Sequence, residues 1–335
     1  MSLSNILECN NNKKIIHMYT VLLAGAGNIG SRHLQGATKS HNDLDIWVLD
    51  LNEEALKVSK ERFEQMPENG KKETHYVTSL DSVPSNIDVA IVASGSKPRA
   101  AIVKSILAAK NVKYMVLEKF LFGKISEYDE IGALLKSKGV KTWVNCPYRM
   151  FEGYKQLKGM LDSGSPISAL YGNGGNWGLC CNAIHYIDIF MFLAGQDDYV
   201  VDLSKIENDV LESKRPGYVE LIGDLTINTP KGDSLTLQSS REGEFIQQIK
   251  MKNGSHTVLV DESANTIDFD GKEFPLGYTY QSGLTGTLID SLVETGNCCL
   301  STFESSSHYH LAFLNAVAPF INKIKGWDSD ACPIT

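Results

Sequence analysis

No stretch of this chain approaches the ~20 consecutive apolar residues that a membrane-spanning helix needs. The best candidate, Ile189 to Ala194, covers one or two helical turns. Positive charge is also short: Lys+Arg is 32 against 40 Asp+Glu, a formal net charge of -8. Nucleic-acid binders carry a basic excess or stripe, because phosphate contacts dominate their affinity. The Lys13-Lys14 and Lys71-Lys72 pairs are too short for that, so neither nucleic acid nor membrane is expected as a partner. No Cys-x-x-Cys pair occurs among the seven cysteines, Cys9, Cys146, Cys180, Cys181, Cys298, Cys299 and Cys332. Their number is odd, and adjacent cysteines have poor geometry for a disulfide. This usage suits a reducing cytoplasm. A zinc set drawn from Cys298, Cys299, His308 and His310 matches no usual ligand spacing, so no metal is expected. Lys13-Lys14 followed by Ile15 to Gly27 loosely imitates a signal peptide. His17 and Thr20 interrupt it, and its small residues run on into a glycine pattern that reads better as a strand and turn.

What is present is a full-sized core. The 335 residues suggest about two domains. Hydrophobic residues are 42% and charged residues 21%, which argues against disorder. Residues 1–17 read as a flexible extension, with Met18 a candidate natural start. Residues 18–148 alternate strand and helix signals. Strands are expected at Tyr19–Ala24, Leu44–Leu49, Tyr76–Thr78, Asp88–Ala93, Val112–Leu117 and Lys141–Asn145. Helices are expected at Ile29–Lys39, Glu53–Gln65, Pro98–Ala109 and Tyr128–Lys138. Strands separated by helices of this length imply crossovers and a doubly wound parallel sheet. Residues 149–335 have another rhythm. Helices at Met150–Leu161 and Asn182–Ala194 precede strands at Leu225–Asn228, Leu235–Gln238, Phe245–Met251, His256–Val260 and Thr266–Phe269, with a further strand at Ile167–Tyr171. Pro230-Lys231-Gly232-Asp233 and Asn253-Gly254 mark hairpins. The second domain is therefore expected to be α+β, with an open, mainly antiparallel sheet. Helices near Leu284–Glu294 and Ser305–Ile321 would pack back toward the first domain.

Three motifs carry chemistry. Gly25-Ala26-Gly27-Asn28-Ile29-Gly30 follows a strand and opens a helix, the context that gives a GxGxxG pattern meaning. Its glycines would allow a tight turn, close approach of a pyrophosphate, and close helix packing. The helix N-terminus then offers free N–H groups to phosphates. Asp50 lies twenty residues beyond Gly30 at the end of the second strand. Its carboxylate suits the two ribose hydroxyls and repels a 2′-phosphate, and Leu51-Asn52 follow with no arginine. That favours NAD over NADP. A nucleotide-free glycine turn and an S-adenosylmethionine site are the alternatives. Glu118-Lys119-Phe120 closes the fifth strand, where open α/β sheets bind ligands. Lysine there could act as acid or base, or simply begin a surface loop. Cys181, His185 and Asp188 fall at helical spacings of four and three, which would set a thiol, an imidazole and a carboxylate on one face. His185 could carry protons, or be a core histidine bonded to Asp188.

Together these segments, over residues 19 to 323, resemble the Gfo/Idh/MocA family of oxidoreductases, the glucose–fructose oxidoreductase and inositol dehydrogenase group. The resemblance rests on the glycine turn, Asp50, the Glu118-Lys119 pair, and the helix with His185 and Asp188. It implies a Rossmann domain followed by an α/β domain whose open sheet shapes the substrate site. It also implies hydride transfer between a nicotinamide and a sugar, cyclitol or related compound. The sequence departs from the family pattern in three places. Phe120 stands where the family has proline. Cys181 and Ala183 replace an acid and a glycine in the helix motif. Ser94-Gly95-Ser96-Lys97-Pro98-Arg99 replaces a Thr-Pro segment with a later histidine. These changes point to a divergent subgroup, one acting on nucleotide-linked or surface-polysaccharide sugars.

On this reading Gly25, Gly27, Asn28, Ile29, Gly30, Asp50, Leu51, Ala93, Ser94, Gly95, Glu118 and Lys119 would contact the cofactor. Lys119, Tyr148, Arg149, Cys181 and His185 would contact the substrate, with Lys119 and His185 catalytic. Arg149 has a second reading as a structural ion-pair partner. A homodimer or homotetramer is expected if the open sheet carries a hydrophobic face. The other class of function is a non-catalytic NAD(H)-binding sensor or partner-binding module, which the missing acid at 181 would suit.

Overall fold

A computed structural model describes residues 18–335 apart from 68, 173 and 245. The expected extension, with Cys9 and the Lys13-Lys14 pair, lies outside the described residues. So does Phe245, the first residue of one expected strand.

Short runs in the first half, most of them apolar and β-branched, suit strands of a sheet covered by helices on either side. They form β1 (Tyr19–Ala24), β2 (Leu44–Leu49), β3 (Lys72–Val77), β4 (Asn86–Val92), β5 (Asn111–Glu118) and β6 (Lys141–Asn145). Between them lie α1 (Asn28–Ala37), α2 (Glu53–Glu64), α3 (Ser96–Ala109) and α4 (Ser126–Lys138). These six strands are parallel and lie in the order β3-β2-β1-β4-β5-β6. The chain reverses direction across the sheet between β1 and β4, and that reversal opens a crevice at the carboxyl ends of the strands. Leu22, Val89, Ala90, Val92, Met115, Val116 and Leu117 are fully buried and form the sheet's core. Asn52 caps α2 by accepting from the Glu54 and Ala55 N–H groups. Gly139, at φ +65°, ends α4. β3 begins at Lys72, four residues before the expected start. It is an outer strand of polar sequence, so it carries no apolar run to announce it.

The second half holds α5 (Glu152–Met160), β7 (Ile167–Tyr171), α6 (Leu179–Ala194), β8 (Val200–Ile206), β9 (Leu211–Glu212), β10 (Val219–Glu220) and β11 (Gly223–Asn228). Then follow β12 (Ser234–Ser239), β13 (Gln248–Asn253), β14 (His256–Asp261), β15 (Thr266–Phe269), β16 (Lys272–Pro275), α7 (Gln281–Thr295), β17 (Ser301–Thr302) and α8 (Phe303–Lys325). Eight strands form one sheet, β16-β15-β14-β13-β7-β12-β11-β8. Its neighbours are antiparallel except β7 and β12, which run parallel at its centre. The β11–β12 hairpin pairs Asn228 with Ser234, and Thr229 and Asp233 exchange hydrogen bonds across its turn. In the β13–β14 hairpin Gly254 takes φ +59°.

Strands β8, β9, β10, β16 and β17 lack counterparts in the sequence reading. They are short or edge-lying and bury few side chains, so alternation is weak. Helix α6 also starts earlier than expected, at Leu179. On one face of the sheet Leu235, Leu237, Ile249 and Met251 are buried. The other face presents Thr226, Thr236, Lys250 and Lys252, with Leu170 and Leu259 half-buried among them. It is a largely polar face, not the hydrophobic one on which the oligomer expectation rests.

The two halves share structure. Helix α7 packs on α1, where a Cβ on Gly36 would lie 2.8 Å from the Gln281 carbonyl oxygen. Strand β17 pairs antiparallel with β6 at the edge of the first sheet. The Phe120 ring meets His310 and Phe313 of α8, at centroid distances of 4.4 and 5.8 Å. We propose that the boundary between the two domains falls at residues 148/149, between β6 and α5. Among the described residues, no helix is long and apolar enough to cross a membrane.

Candidate active site

The glycine turn joins β1 to α1. Gly25 holds φ +105°, and a Cβ there would press within 3.0–3.1 Å of the Ala93 and Ser94 backbone. A Cβ on Gly30 would sit 1.9 Å from the Gly25 carbonyl oxygen. Gly27 is different: nothing lies within 4 Å of the position its Cβ would take. Gly27 and Asn28 are exposed, and α1 has neither a side-chain cap nor an acidic residue in its first turn. An open space thus faces free N–H groups at the positive end of a helix, which fits a pyrophosphate. Asp50 follows β2. One of its carboxylate oxygens accepts from the Ala26 N–H at 2.7 Å and the other from the Asn52 N–H at 2.9 Å. Leu51 beside it is 88% exposed.

These contrasts give a paired prediction. Gly30→Ala should destabilise the fold by about 1–3 kcal/mol or more, because the new methyl overlaps backbone. Gly27→Ala should leave the melting temperature unchanged yet weaken NADH binding. Thermal unfolding and NADH fluorescence titration on the two variants would separate the effects.

Beyond the turn, the carboxyl ends of β4 and β5 border a cleft of about 330 Å³. Ile29, Ala93, Ser94, Gly95, Glu118, Lys119, Tyr148 and His185, all singled out from the sequence, line it. Lys119 Nζ donates to the Cys181 carbonyl oxygen at 2.8 Å. The ammonium is therefore held by backbone on the α6 first turn, and no side-chain acid is needed for that contact. Burial pulls the Lys119 pKa down, against the opposing pull of Glu118. The His185 ring stacks on Tyr148 at 5.7 Å, and its Nδ1 is buried with no partner among the described residues. Burial, with Lys119 nearby, pulls His185 down to about 3, so it is neutral at ordinary pH. Cys181 lines an adjoining pocket with Lys119. Burial pushes its thiol up to about 11, so it is no thiolate.

Two buried groups fix this geometry. Glu118 bonds His33 of α1 at 2.9 Å and accepts from Asn145 of β6. Burial raises its pKa, but the His33 hydrogen bond and charge outweigh that and hold it below the ordinary value. Arg99 of α3 is fully buried and donates to the Ser94, Phe120 and Leu121 carbonyls. It ties the loop after β4 to the loop that follows Lys119. Burial lowers it to about 10.

Two expectations are corrected. Arg149 does not face the cleft. Its Nε donates to Asp188 at 2.7 Å and its Nη2 at 3.1 Å, and the guanidinium lies over Phe192. It takes the structural reading. Asp188, fully buried, is turned toward Arg149 and Ser301 and away from His185. The row of thiol, imidazole and carboxylate therefore breaks after His185, because α6 rotates its residue 188 toward the 147–150 turn and β17. In the discounted zinc set, His308 bonds Asp198 and His310 packs on Phe120.

Residues missed from the sequence also line the cleft: Asn145, Asn182, Arg215, Tyr278, Tyr280 and Gln281. Asn145 ends β6 at the same carboxyl edge as Glu118, and that position could have flagged it. The others arrive on loops and on α6 and α7, which local pattern does not align.

The neutral histidines have a consequence for stability. His185 and His310 are both held near 3 in the folded protein, below the 6.5 of a free histidine. Between these values the unfolded chain binds more protons, so stability falls as pH drops from about 6.5 toward 3. Each should cost roughly 2 kcal/mol at pH 5 relative to pH 8. Urea titrations at both pH values, with His310→Phe removing part of the difference, would check this.

A sequence profile described as "Oxidoreductase family, NAD-binding Rossmann fold", that of Gfo/Idh/MocA proteins, matches residues 19–146. No curated protein matches the chain in sequence. Solved structures share the fold at low identity. UDP-N-acetylglucosamine 3-dehydrogenase GnnA from Acidithiobacillus ferrooxidans is 14% identical, with TM-score 0.69 over 92% of this chain and 99% of that one. The 3-ketoreductase KijD10 from Actinomadura kijaniata, solved with TDP-benzene and NADP, is 15% identical, with TM-score 0.67 over 90% and 98%. The aldose-aldose oxidoreductase from Caulobacter crescentus, solved with glycerol, is 15% identical, with TM-score 0.65 over 92% and 98%. Over residues 19–146 the chain thus carries the profile of the Gfo/Idh/MocA oxidoreductases, that of an NAD-binding Rossmann fold.

Proposed function

We propose that this protein is an NAD-dependent oxidoreductase that interconverts a hydroxyl and a carbonyl on a sugar-like substrate, with nucleotide-linked sugars the favoured class. The observation that carries the reading is one cleft. It runs from Ile29 of the glycine turn past Ser94 and Gly95 to Lys119, Tyr148 and His185. A nicotinamide dinucleotide, when bound, supplies or accepts the hydride. The open cradle at Gly27 and the free N–H groups of α1 would hold its pyrophosphate, and Asp50 its adenosine ribose.

The chain's own residues do the proton work. Lys119, with its pKa lowered by burial, takes the proton of the substrate hydroxyl in the oxidising direction and returns it in reduction. The Cys181 carbonyl aims the amine. His185, neutral, orients the substrate oxygen by hydrogen bonding. Tyr148 forms a wall of the site. Cys181 lies beside this arrangement as a packed thiol.

The test is direct: purified protein, NADH or NAD, and a panel of sugars, cyclitols, nucleotide sugars and aldehydes, followed by hydride exchange. Tight NADH binding with no exchange across the panel would favour the sensor reading. Binding of S-adenosylmethionine but not NADH would overturn both. Cofactor choice has its own check. Asp50→Ala removes a charged acceptor, so NADH affinity should fall about 10- to 100-fold. NADPH, no longer repelled, should gain relative to NADH. An unchanged NADH-to-NADPH ratio would remove Asp50 from cofactor selection.

A further inference from the structure

A set of tyrosines runs from the cleft into the second domain, and the hydride-transfer reading leaves it unused. Tyr148, on the wall of the cleft, donates from its hydroxyl to Tyr186 Oη of α6 at 3.2 Å. Tyr186 in turn donates to Glu262 Oε2 at 3.2 Å. Tyr171 of β7 bonds the same Tyr186 hydroxyl, and the two rings stack at 3.5 Å. Glu262 follows β14 and is 7% exposed. Its other oxygen, Oε1, is buried with no partner among the described residues. The titratable groups around it are Tyr148, Tyr154 of α5, Tyr171, Tyr186, Tyr278 and its chain neighbour Asp261. None of these is a cation. A buried carboxylate without a cation is costly, unless its proton comes and goes.

We propose that Tyr148, Tyr186 and Glu262 form a proton path that serves Lys119, with Glu262 as its terminal proton store. The proposal rests on the hydride-transfer reading of the cleft. In the oxidising direction Lys119 holds the proton taken from the substrate hydroxyl. It must lose that proton before the next turnover. A water in the cleft accepts it and gives one of its protons to Tyr148 Oη. Tyr148 passes its own hydroxyl proton to Tyr186, and Tyr186 passes its own to Glu262 Oε2. One N–H bond breaks at Lys119 and one O–H bond forms at Glu262, with the water and each tyrosine restored. Reduction runs the path backwards, and between oxidising turnovers the stored proton returns along the same path to cleft water, which carries it to the solvent.

Burial raises the Glu262 carboxyl to about 7, which lets it change protonation state near neutral pH. The store sits outside the cleft, so Glu262 is a positioning and relay residue and not a catalytic one. The path also differs from an acid beside Lys119: it starts from Tyr148 on the cleft wall and ends just after β14 of the second sheet.

The test has two readouts. In the cofactor-free protein labelled with [13C]glutamate at the side-chain carboxyl, NMR should show one resonance titrating near pH 7, absent in Glu262→Gln. In turnover with NADH, the wild-type pH profile should show a limb at that same pH. Glu262→Gln and Tyr148→Phe should each lose about 10-fold or more in kcat and flatten the limb, the low end of proton-transfer help. Glu262→Asp should restore part of the rate with a displaced limb, and NADH binding should be unchanged in all three. A Glu262→Gln protein with the wild-type profile and rate would overturn the relay while leaving the oxidoreductase reading intact. So would a Glu262 resonance titrating in the ordinary carboxylate range. A wild-type protein that transfers no hydride to any panel compound would overturn that reading, and the relay with it.

Discussion

Lys119→Met is expected to lose about 10²–10⁴-fold in kcat, the usual worth of a positioned acid–base group. Methionine keeps the length and apolar stem of lysine but cannot carry a proton. The amine meets the cleft and donates to the Cys181 carbonyl at 2.8 Å. Removing it should leave NADH affinity unchanged, because the glycine turn and Asp50 lie elsewhere. Nor should stability suffer: a buried ammonium held mainly by a carbonyl is expensive to keep, and an apolar replacement relieves that cost. Lys119→Arg should fail as well, since a guanidinium stays protonated and cannot accept the hydroxyl proton. Steady-state kinetics with NADH titration and thermal melts on both variants would decide. A Lys119→Met protein with wild-type turnover would remove Lys119 from the chemistry.

The second large effect is on stability. Asp188→Ala should destabilise the fold by about 3–5 kcal/mol, because it leaves the Arg149 guanidinium partly buried without its carboxylate. The Asp188 side chain is 1% exposed and that of Arg149 13%. Asp188 also accepts from Ser301 of β17, so the substitution loosens the strand that joins the second half of the chain to the first sheet. Replacing both partners at once, as Asp188→Leu with Arg149→Met, should recover much of the loss, since no charge is then stranded. Denaturant unfolding of the two variants would test this. The activity of the folded fraction should survive in Asp188→Ala. A loss of turnover without a loss of stability would return Asp188 to the proton chemistry.

How much of this was legible from residues alone depends on how far apart the interacting groups lie. Tyr19–Ala24, Leu44–Leu49 and Lys141–Asn145 appear in the fold with the bounds read from the sequence. Each holds a buried apolar stretch between clear turn signals. The edge strands β8 and β16 escaped, and β3 was read only at its end, because half of each faces water, which erases the pattern that marks a strand. Strand β7 was read in place, but not its parallel pairing with β12, since no local signal records which strand a segment will lie beside. The glycine turn was legible for the same reason as the inner strands. Its geometry is decided within six residues, where Gly25 needs φ +105° and Gly30 touches the Gly25 carbonyl. Arg99 was noted only as a departure from a family pattern. That it is fully buried and holds three carbonyls from two loops follows from α3 packing on the sheet, not from its neighbours in sequence.

The sequence by itself determined the alternating α/β first half, the glycine turn, and the carboxyl-edge placement of Asp50 and Lys119. Each follows from interactions within one βα unit. Only the tertiary structure decided what the charged groups face. Lys119 finds its carbonyl 62 residues away, and Arg149 finds Asp188 39 residues away. Helical spacing put Cys181, His185 and Asp188 on one face, but the rotation of α6 against its neighbours is set by its apolar burial. That burial gives His185 to the cleft and Asp188 to the ion pair.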